Sequence, residues 1–376
     1  MKTPRSFFEA IATLTGCTIG AGIFSIPYIV VRAGFWTGAL VIVFLGLVIL
    51  TLHLLLGEIA LRTKKPHQLV GFAAKYLGTK GKWLMALSMV IGIYGALTAY
   101  TLGVSESLSQ LFGLPQWLMA FFFYIACSML VYGGLAVLEK SELFMEIIKF
   151  LIIAVIFVAL IGSKYFRPEN LTGFSIYNVL MPYGAIFFAY LGTAAIPEVR
   201  EELRKHAKYM KKAIVIGTLL PLLVYLGFTI AVIGITGGMT TEVATIGVAN
   251  VLGSWAFVLL HVFAVLAMTT SFIVLGFALR DMYSFDFGIS HFSSWALTMI
   301  VPICIIAIGT TSFFRTIEIT GALAGGLAGA LIVVMHNAAV LKGDRKPEYS
   351  IKLSAFLKGL LILLFCLGAL YVIIGI

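Results

Sequence analysis

The chain has 376 residues, 61% hydrophobic and 11% charged, with a mean hydropathy of +1.07. A soluble domain carries about 25% charged residues, so that class is excluded and an integral membrane protein is expected. The formal net charge of +10 would suit a nucleic-acid partner, but the basic residues fall between apolar runs, so the charge is read as topology and no nucleic acid is expected.

The apolar runs are too long for barrel strands, which cross in about 9–11 residues. Eleven helical spans are expected, at 7–31, 34–61, 83–112, 117–138, 143–161, 178–199, 213–235, 255–282, 291–308, 317–341 and 353–376. Each is long enough to cross a core of about 30 Å at about 1.5 Å per residue. No cleavable signal precedes the first span, since Met1-Lys2-Thr3-Pro4-Arg5 leads straight into it. Lys and Arg divide 21 to 4 between the two sides of this topology, and the remaining one of the 26, Lys149, lies deep inside a span. That asymmetry places the N-terminus in the cytoplasm of a multi-pass cell-membrane protein, and eleven spans then place the C-terminus outside. The connection 62–82 reads as a short amphipathic helix at the inner interface.

Span 1 carries Gly20-Ala21-Gly22-Ile23-Phe24-Ser25-Ile26-Pro27, and span 6 carries Tyr190-Leu191-Gly192-Thr193-Ala194-Ala195-Ile196-Pro197. Gly and Pro inside a span free backbone groups, which lipid tolerates only against protein or a water-filled cavity. Spans 1–5 and 6–10 run in opposite senses and each set begins with a broken helix. The expectation is an all-α membrane domain with a 5+5 inverted repeat (7–162 and 176–341), an extra helix at 353–376, and a site at the midplane.

Unwinding at Thr18, Ile19, Gly20, Ala21, Gly22 and Ile23 would offer N–H groups and a helix N-terminus to an anion. Carbonyls near Phe187, Phe188, Ala189, Leu191 and Gly192 would suit an ammonium. Together they describe a zwitterionic amino acid, although small residues at both places would also serve close helix packing. Tyr94 and Thr98 share one face of span 3, where they line the pocket or pack the core. Thr270 and Ser271, with freed carbonyls of span 1, suit a sodium ion, or they bond their own helix carbonyls. Lys149 inside span 5 would cost about 2.5–3.5 kcal/mol at the bilayer centre, which invites a functional account, against snorkelling or a pair with Glu146.

Glu58 and Glu198 read as gate or interface pairs, Glu106 as a weaker coupling candidate, and His53, His261 and His336 as packing residues. The four cysteines lie in apolar segments without metal-ligand spacing, and no metal site or cofactor is expected. No nucleophile elbow, zinc-binding His pair or phosphate loop argues for an enzyme, and no filter repeat argues for a channel.

The stretch Gly16-Cys17-Thr18-Ile19-Gly20-Ala21-Gly22-Ile23-Phe24-Ser25-Ile26-Pro27 resembles the start of the hydroxy/aromatic amino acid permeases, the tyrosine- and tryptophan-permease type of the amino acid–polyamine–organocation superfamily. Tyr94–Glu106 and Ala267–Phe272 are similar too, while Pro197-Glu198 departs from the pattern. The resemblance implies the leucine-transporter fold, alternating access, and uptake of neutral aromatic or large apolar amino acids driven by a proton, or by sodium. In that frame Lys149 stands where other members hold sodium, facing carbonyls near Gly16 and Ile19 and the hydroxyls of Thr270 and Ser271. Under sodium coupling, Gly16, Ile19, Ala267, Thr270 and Ser271 are the expected ligands. An amino acid sensor on the same scaffold is the remaining alternative.

Overall fold

Apolar segments that leave water must bond their own backbone, and among the described residues every regular element is helical. The computed structural model describes the backbone of residues 4–133, 142–309 and 311–374, with side chains except at 142–150, 254, 255 and 286. Lys149, Glu146, Lys140 and Lys2, which entered the sequence reading, therefore lie outside the residues whose side chains are described.

The helices run α1 (Arg5–Thr18), α2 (Gly22–Ala33), α3 (Phe35–Arg62), α4 (Leu69–Phe112), α5 (Gln116–Gly133), α6 (Glu142–Ile161), α7 (Tyr183–Ala189) and α8 (Ile196–Glu202). They continue with α9 (Met210–Thr236), α10 (Ala244–Leu252), α11 (Ser254–Asp281), α12 (His291–Ile308), α13 (Phe313–Thr320), α14 (Gly326–Lys342) and α15 (Ala355–Ile374). Eight of the described helical segments are long and apolar enough to cross a membrane, or nine if α1 and α2, bent by 55°, form one span. The places expected for spans 5 and 6 are taken by α6 and by the short pair α7 and α8.

Three details depart from the sequence reading. The first break falls at Ile19–Ala21, and Pro27 sits inside a continuous α2, because the glycine-rich turn and not the proline ends α1. Pro197 lies at the start of α8, where its missing N–H would be unbonded in any case. Within the range of α4 the backbone is non-helical at Gly78 (φ 72°, ψ −161°), a conformation that favours glycine, so the short helix expected after α3 stands apart from span 3 across this kink. The connection after α9 contains α10, an unexpected helix packed against α11, α9 and α2.

The broken spans lie side by side and antiparallel: α1 packs on α8 and α2 on α7. Small residues allow this approach. A Cβ on Gly22 would stand 2.4 Å from Ala189 Cα, and one on Gly192 would stand 2.3 Å from Thr18 Oγ1. Helices in lipid associate by such close contact, since lipid tails are as apolar as their side chains. The small residues expected to bind substrate thus also fix the packing of the two breaks.

The end of the bundle that carries the basic connections is tied together by polar contacts. Glu58, fully buried at the end of α3, accepts from Arg62 Nε (2.8 Å), His336 Nε2 (3.0 Å), Ser350 Oγ (2.8 Å) and the Ile351 N–H (2.6 Å). Arg200 of α8 donates to the carbonyls of Ala60 (3.0 Å), Thr63 (2.8 Å) and Lys64 (3.1 Å). Asp344 accepts from Lys75 Nζ and from the Lys64 N–H (3.3 Å), and the Lys75 bond holds its carboxyl below the usual aspartate range. A buried carboxylate needs this many partners to offset its lost hydration. Glu58 is thereby an interface pair that docks the α14–α15 connection on α3.

Candidate functional site

A cavity of about 230 Å³ lies where the two breaks meet. Its walls are Gly16–Thr18 and Gly20–Gly22 from the first break, and Phe188, Ala189, Leu191 and Thr193–Ala195 from the second. α4 adds Met85, Ser88, Met89, Gly92, Ile93, Ala96 and Tyr100, α11 adds Thr270, Ser271, Val274, Leu275 and Ala278, and α14 adds Ala328. The lining continues toward the basic end through Thr13, Leu69 and Glu198. It includes no residue of α2 beyond Gly22 and none of α10 or α13, so its lining extends toward the basic end and not toward the opposite one.

The first break supplies donors. Ile19 N–H bonds Thr15 O (2.9 Å) and Gly20 N–H bonds Thr18 O (3.0 Å), so the Gly20 donor expected for substrate is already used. The N–H groups of Ala21, Gly22 and Ile23 have no acceptor among the described residues. They begin α2 and point back along its axis, toward the cavity, where the positive end of the helix dipole favours an anion. Nearby, a Cβ on Gly20 would stand 3.3 Å from Ser271 Oγ and 3.4 Å from the Tyr100 hydroxyl.

The second break closes on itself. Tyr190 N–H bonds Ile186 O and Phe187 O, Leu191 N–H bonds Phe188 O (3.0 Å), Gly192 N–H bonds Tyr190 O (2.7 Å), and Ala195 N–H bonds Gly192 O (3.1 Å). The carbonyl of Ala189 lies 2.7 Å from the Tyr225 hydroxyl. The carbonyls of Phe188 and Ala189, expected to be open for an ammonium, thus each have one donor, and each retains a second lone pair.

Several expected lining residues lie elsewhere. The Tyr94 hydroxyl meets that of Tyr283 (2.8 Å) and donates to Leu297 O (3.0 Å), and Thr98 is buried with its hydroxyl on Tyr94 O (2.8 Å). Both lie opposite the lining face of α4, because Tyr94 is two residues, about 200° of helix, from Gly92 and from Ala96. Phe187 stacks on Tyr183 at 5.4 Å and packs edge-on against Phe365 of α15, away from the cavity. Ile19, Ile23 and Ala267 are buried in the core, and Gly192 packs on Thr18 and near His53. Thr270 and Ser271 line the cavity, but both hydroxyls donate to Ala267 O (3.0 and 3.1 Å), the bond that membrane helices commonly give these residues. Among the described residues no group of three or more His, Cys, Asp or Glu is arranged to hold a metal.

The sequence reading missed Tyr100, Ser88, Met89, Gly92, Ala96, Val274, Ala328, Glu198 as lining and Tyr225 as a partner of both breaks. The run Gly92, Ala96, Tyr100 at four-residue spacing was the available signal for the α4 wall.

A helical membrane bundle with a cavity at two opposed helix breaks is an architecture shared by membrane transporters. The chain belongs to the tryptophan/tyrosine permease family, whose model matches residues 3–374, and it is an amino acid transporter. It is 21% identical over 344 residues to glutamine transporter 2 of Aliivibrio fischeri, covering 87% of this chain and 86% of that protein. It is 28% identical over 187 residues to the branched-chain amino acid permease BcaP of Bacillus subtilis, covering 48% of this chain and 39% of that protein. Its fold is similar to that of MhsT in complex with L-phenylalanine, with a TM-score of 0.69 at 16% identity, covering 98% of this chain and 99% of that one.

Proposed function

We propose that the protein is a secondary active symporter of neutral amino acids with aromatic or large apolar side chains, working by alternating access. The cavity at the two breaks carries this reading: it is apolar on most walls, and Glu198, the one charged lining residue among the described residues, stands toward the basic end. The substrate carboxylate binds the N-terminus of α2 at Ala21 and Gly22. The ammonium lies by the C-terminal carbonyls of α7, on their second lone pairs. The side chain extends between α4, α11 and Ala328 of α14.

Eleven spans in a 5+5 inverted repeat, within one domain, fit the packing: first and sixth, second and seventh, and third and eighth expected spans lie against one another. With the basic end cytoplasmic, the N-terminus is inside, the C-terminus outside, and the cavity belongs to an inward-facing state.

The coupling ion is a proton, carried through Lys149. Support comes from α6 lying against both α1 and α11, which puts this helix between the first break and the wall bearing Thr270 and Ser271. The sodium reading, with Gly16, Ile19, Ala267, Thr270 and Ser271 as ligands, is favoured by the exposure of Gly16, Thr270 and Ser271 on one cavity.

The test is uptake of labelled phenylalanine, tyrosine, tryptophan, leucine and glutamine into proteoliposomes, under a pH gradient without sodium and under a sodium gradient at constant pH. The expected result is concentrative uptake of the aromatic and large apolar amino acids on the pH gradient alone. Lys149→Met is expected to abolish accumulation while substrate exchange continues, since the substrate contacts lie elsewhere. Accumulation that requires sodium moves the coupling to Thr270 and Ser271, and glutamine as the sole cargo overturns the side-chain assignment.

A further inference from the structure

Thr18 is the last residue of α1 and Ala189 the last of α7. Helix ends leave carbonyls without intrahelical partners, and both of these are at the negative end of a helix dipole. They meet at one atom: the Tyr225 hydroxyl of α9 lies 2.8 Å from Thr18 O and 2.7 Å from Ala189 O. A phenol has one proton, so it donates to one carbonyl at a time while standing within bonding distance of both. Without that donor, two partly negative helix ends would face each other in a buried space, with Thr18 O left only the Gly20 N–H (3.0 Å). The ring is fully buried and held edge-on by Tyr190 at 5.1 Å, whose own hydroxyl donates to Ile42 O (3.1 Å). Tyr225 is therefore fixed from α3 and the second break while it reaches the first.

We propose that Tyr225 is a positioning residue that couples the two helix breaks, so that a rearrangement at one is transmitted to the other through its hydroxyl. The use of such a link rests on the transporter reading, because alternating access requires both broken spans to change together. A single shared proton suits this task. The hydroxyl ties the two ends in one geometry, yet can donate wholly to either carbonyl when the other moves away, with no charge left buried.

The experiment is hydrogen–deuterium exchange on the purified full-length protein in detergent with no amino acid added. Gly20→Ala perturbs the first break locally, by crowding Ser271 Oγ and the Tyr100 hydroxyl. In the Tyr225 protein this change is expected to alter exchange in the peptide covering 187–195 by about three-fold or more, an interaction between contacting sites. With Tyr225→Phe, which keeps the ring, the effect of Gly20→Ala should stay within the peptide covering 16–24. A role limited to general stability would loosen both peptides and leave this cross-effect intact. The proposal is overturned if the cross-effect is equal with and without the hydroxyl, or is missing when Tyr225 is present. Should Tyr225→Phe fail to fold, 4-aminophenylalanine at position 225 retains ring and N–H donors and should preserve the cross-effect; its loss there also overturns the proposal. No arm uses a substrate, so an error in the assigned cargo or coupling ion leaves the result readable.

Discussion

Three residues, Ile19–Ala21, separate α1 from α2, whereas six, Tyr190–Ala195, separate α7 from α8. The shorter break is the open one. It leaves the N–H groups of Ala21, Gly22 and Ile23 without acceptors among the described residues. The longer break spends its extra residues on turns that bond Tyr190, Leu191, Gly192 and Ala195 locally. Buried backbone must be satisfied, and the second break meets more of that need through its own turns than the first does.

The strongest way to break this comparison is Gly22→Val. The first atom of any side chain there would stand 2.4 Å from Ala189 Cα, and backbone cannot turn aside as a side-chain tip does. Overpacking typically costs about 1–3 kcal/mol and here also pushes the α2 N-terminus off the cavity. Ligand-induced thermal stabilisation should disappear and the melting temperature should fall; a variant that keeps both would show that neither the packing nor the donors at Gly22 matter.

Gly192→Ala tests the closed break and should act less severely. Its Cβ meets Thr18 Oγ1 at 2.3 Å, a hydroxyl whose bond is to Leu14 O of its own helix. A loss of about 1 kcal/mol is expected, with recovery in the Gly192→Ala/Thr18→Ala double variant, since contacting sites are not additive. Thermal melts of the two single variants and the double variant check this, and independent, additive losses would exclude the contact as the cause.

The smallest effect lies at the basic end, away from both breaks, and sets a scale for a contact that touches neither. Hydrogen bonding from Lys75 lowers the Asp344 carboxyl pKa in the folded protein. A lowered pKa means stabilisation that is complete above the ordinary aspartate value of about 3.9 and is lost as pH falls through the lowered one. Protease cleavage in 62–82 should therefore accelerate only at strongly acid pH, modestly because the pair is partly exposed. Asp344→Asn should remove that pH dependence.

The sequence already carried both breaks to within a few residues, because a glycine-rich turn inside an apolar run frees backbone groups that lipid cannot satisfy. It also carried Thr18, Gly20, Ala21, Gly22, Phe188, Ala189 and Leu191, along with Gly16, Thr270 and Ser271, all of which line one cavity. For Tyr94 and Thr98 the sequence leaves pocket lining and core packing open, and the structure shows packing, because a shared face says that two residues point together, not toward what. Phe187 was misplaced because one residue of helix, about 100°, separates its direction from that of Phe188.

What the sequence determined alone was local: apolar runs long enough to be helices, the two places where they fail, and the glycine motif of the family. Tertiary structure decided which freed groups remained free. Whether a carbonyl at Ala189 is open depends on Tyr225, 36 residues along the chain, and whether Gly22 binds or packs depends on Ala189 across the bundle. Hydrogen bonds and close contacts act over a few ångströms in space and are indifferent to separation in sequence, so no local pattern could have announced them.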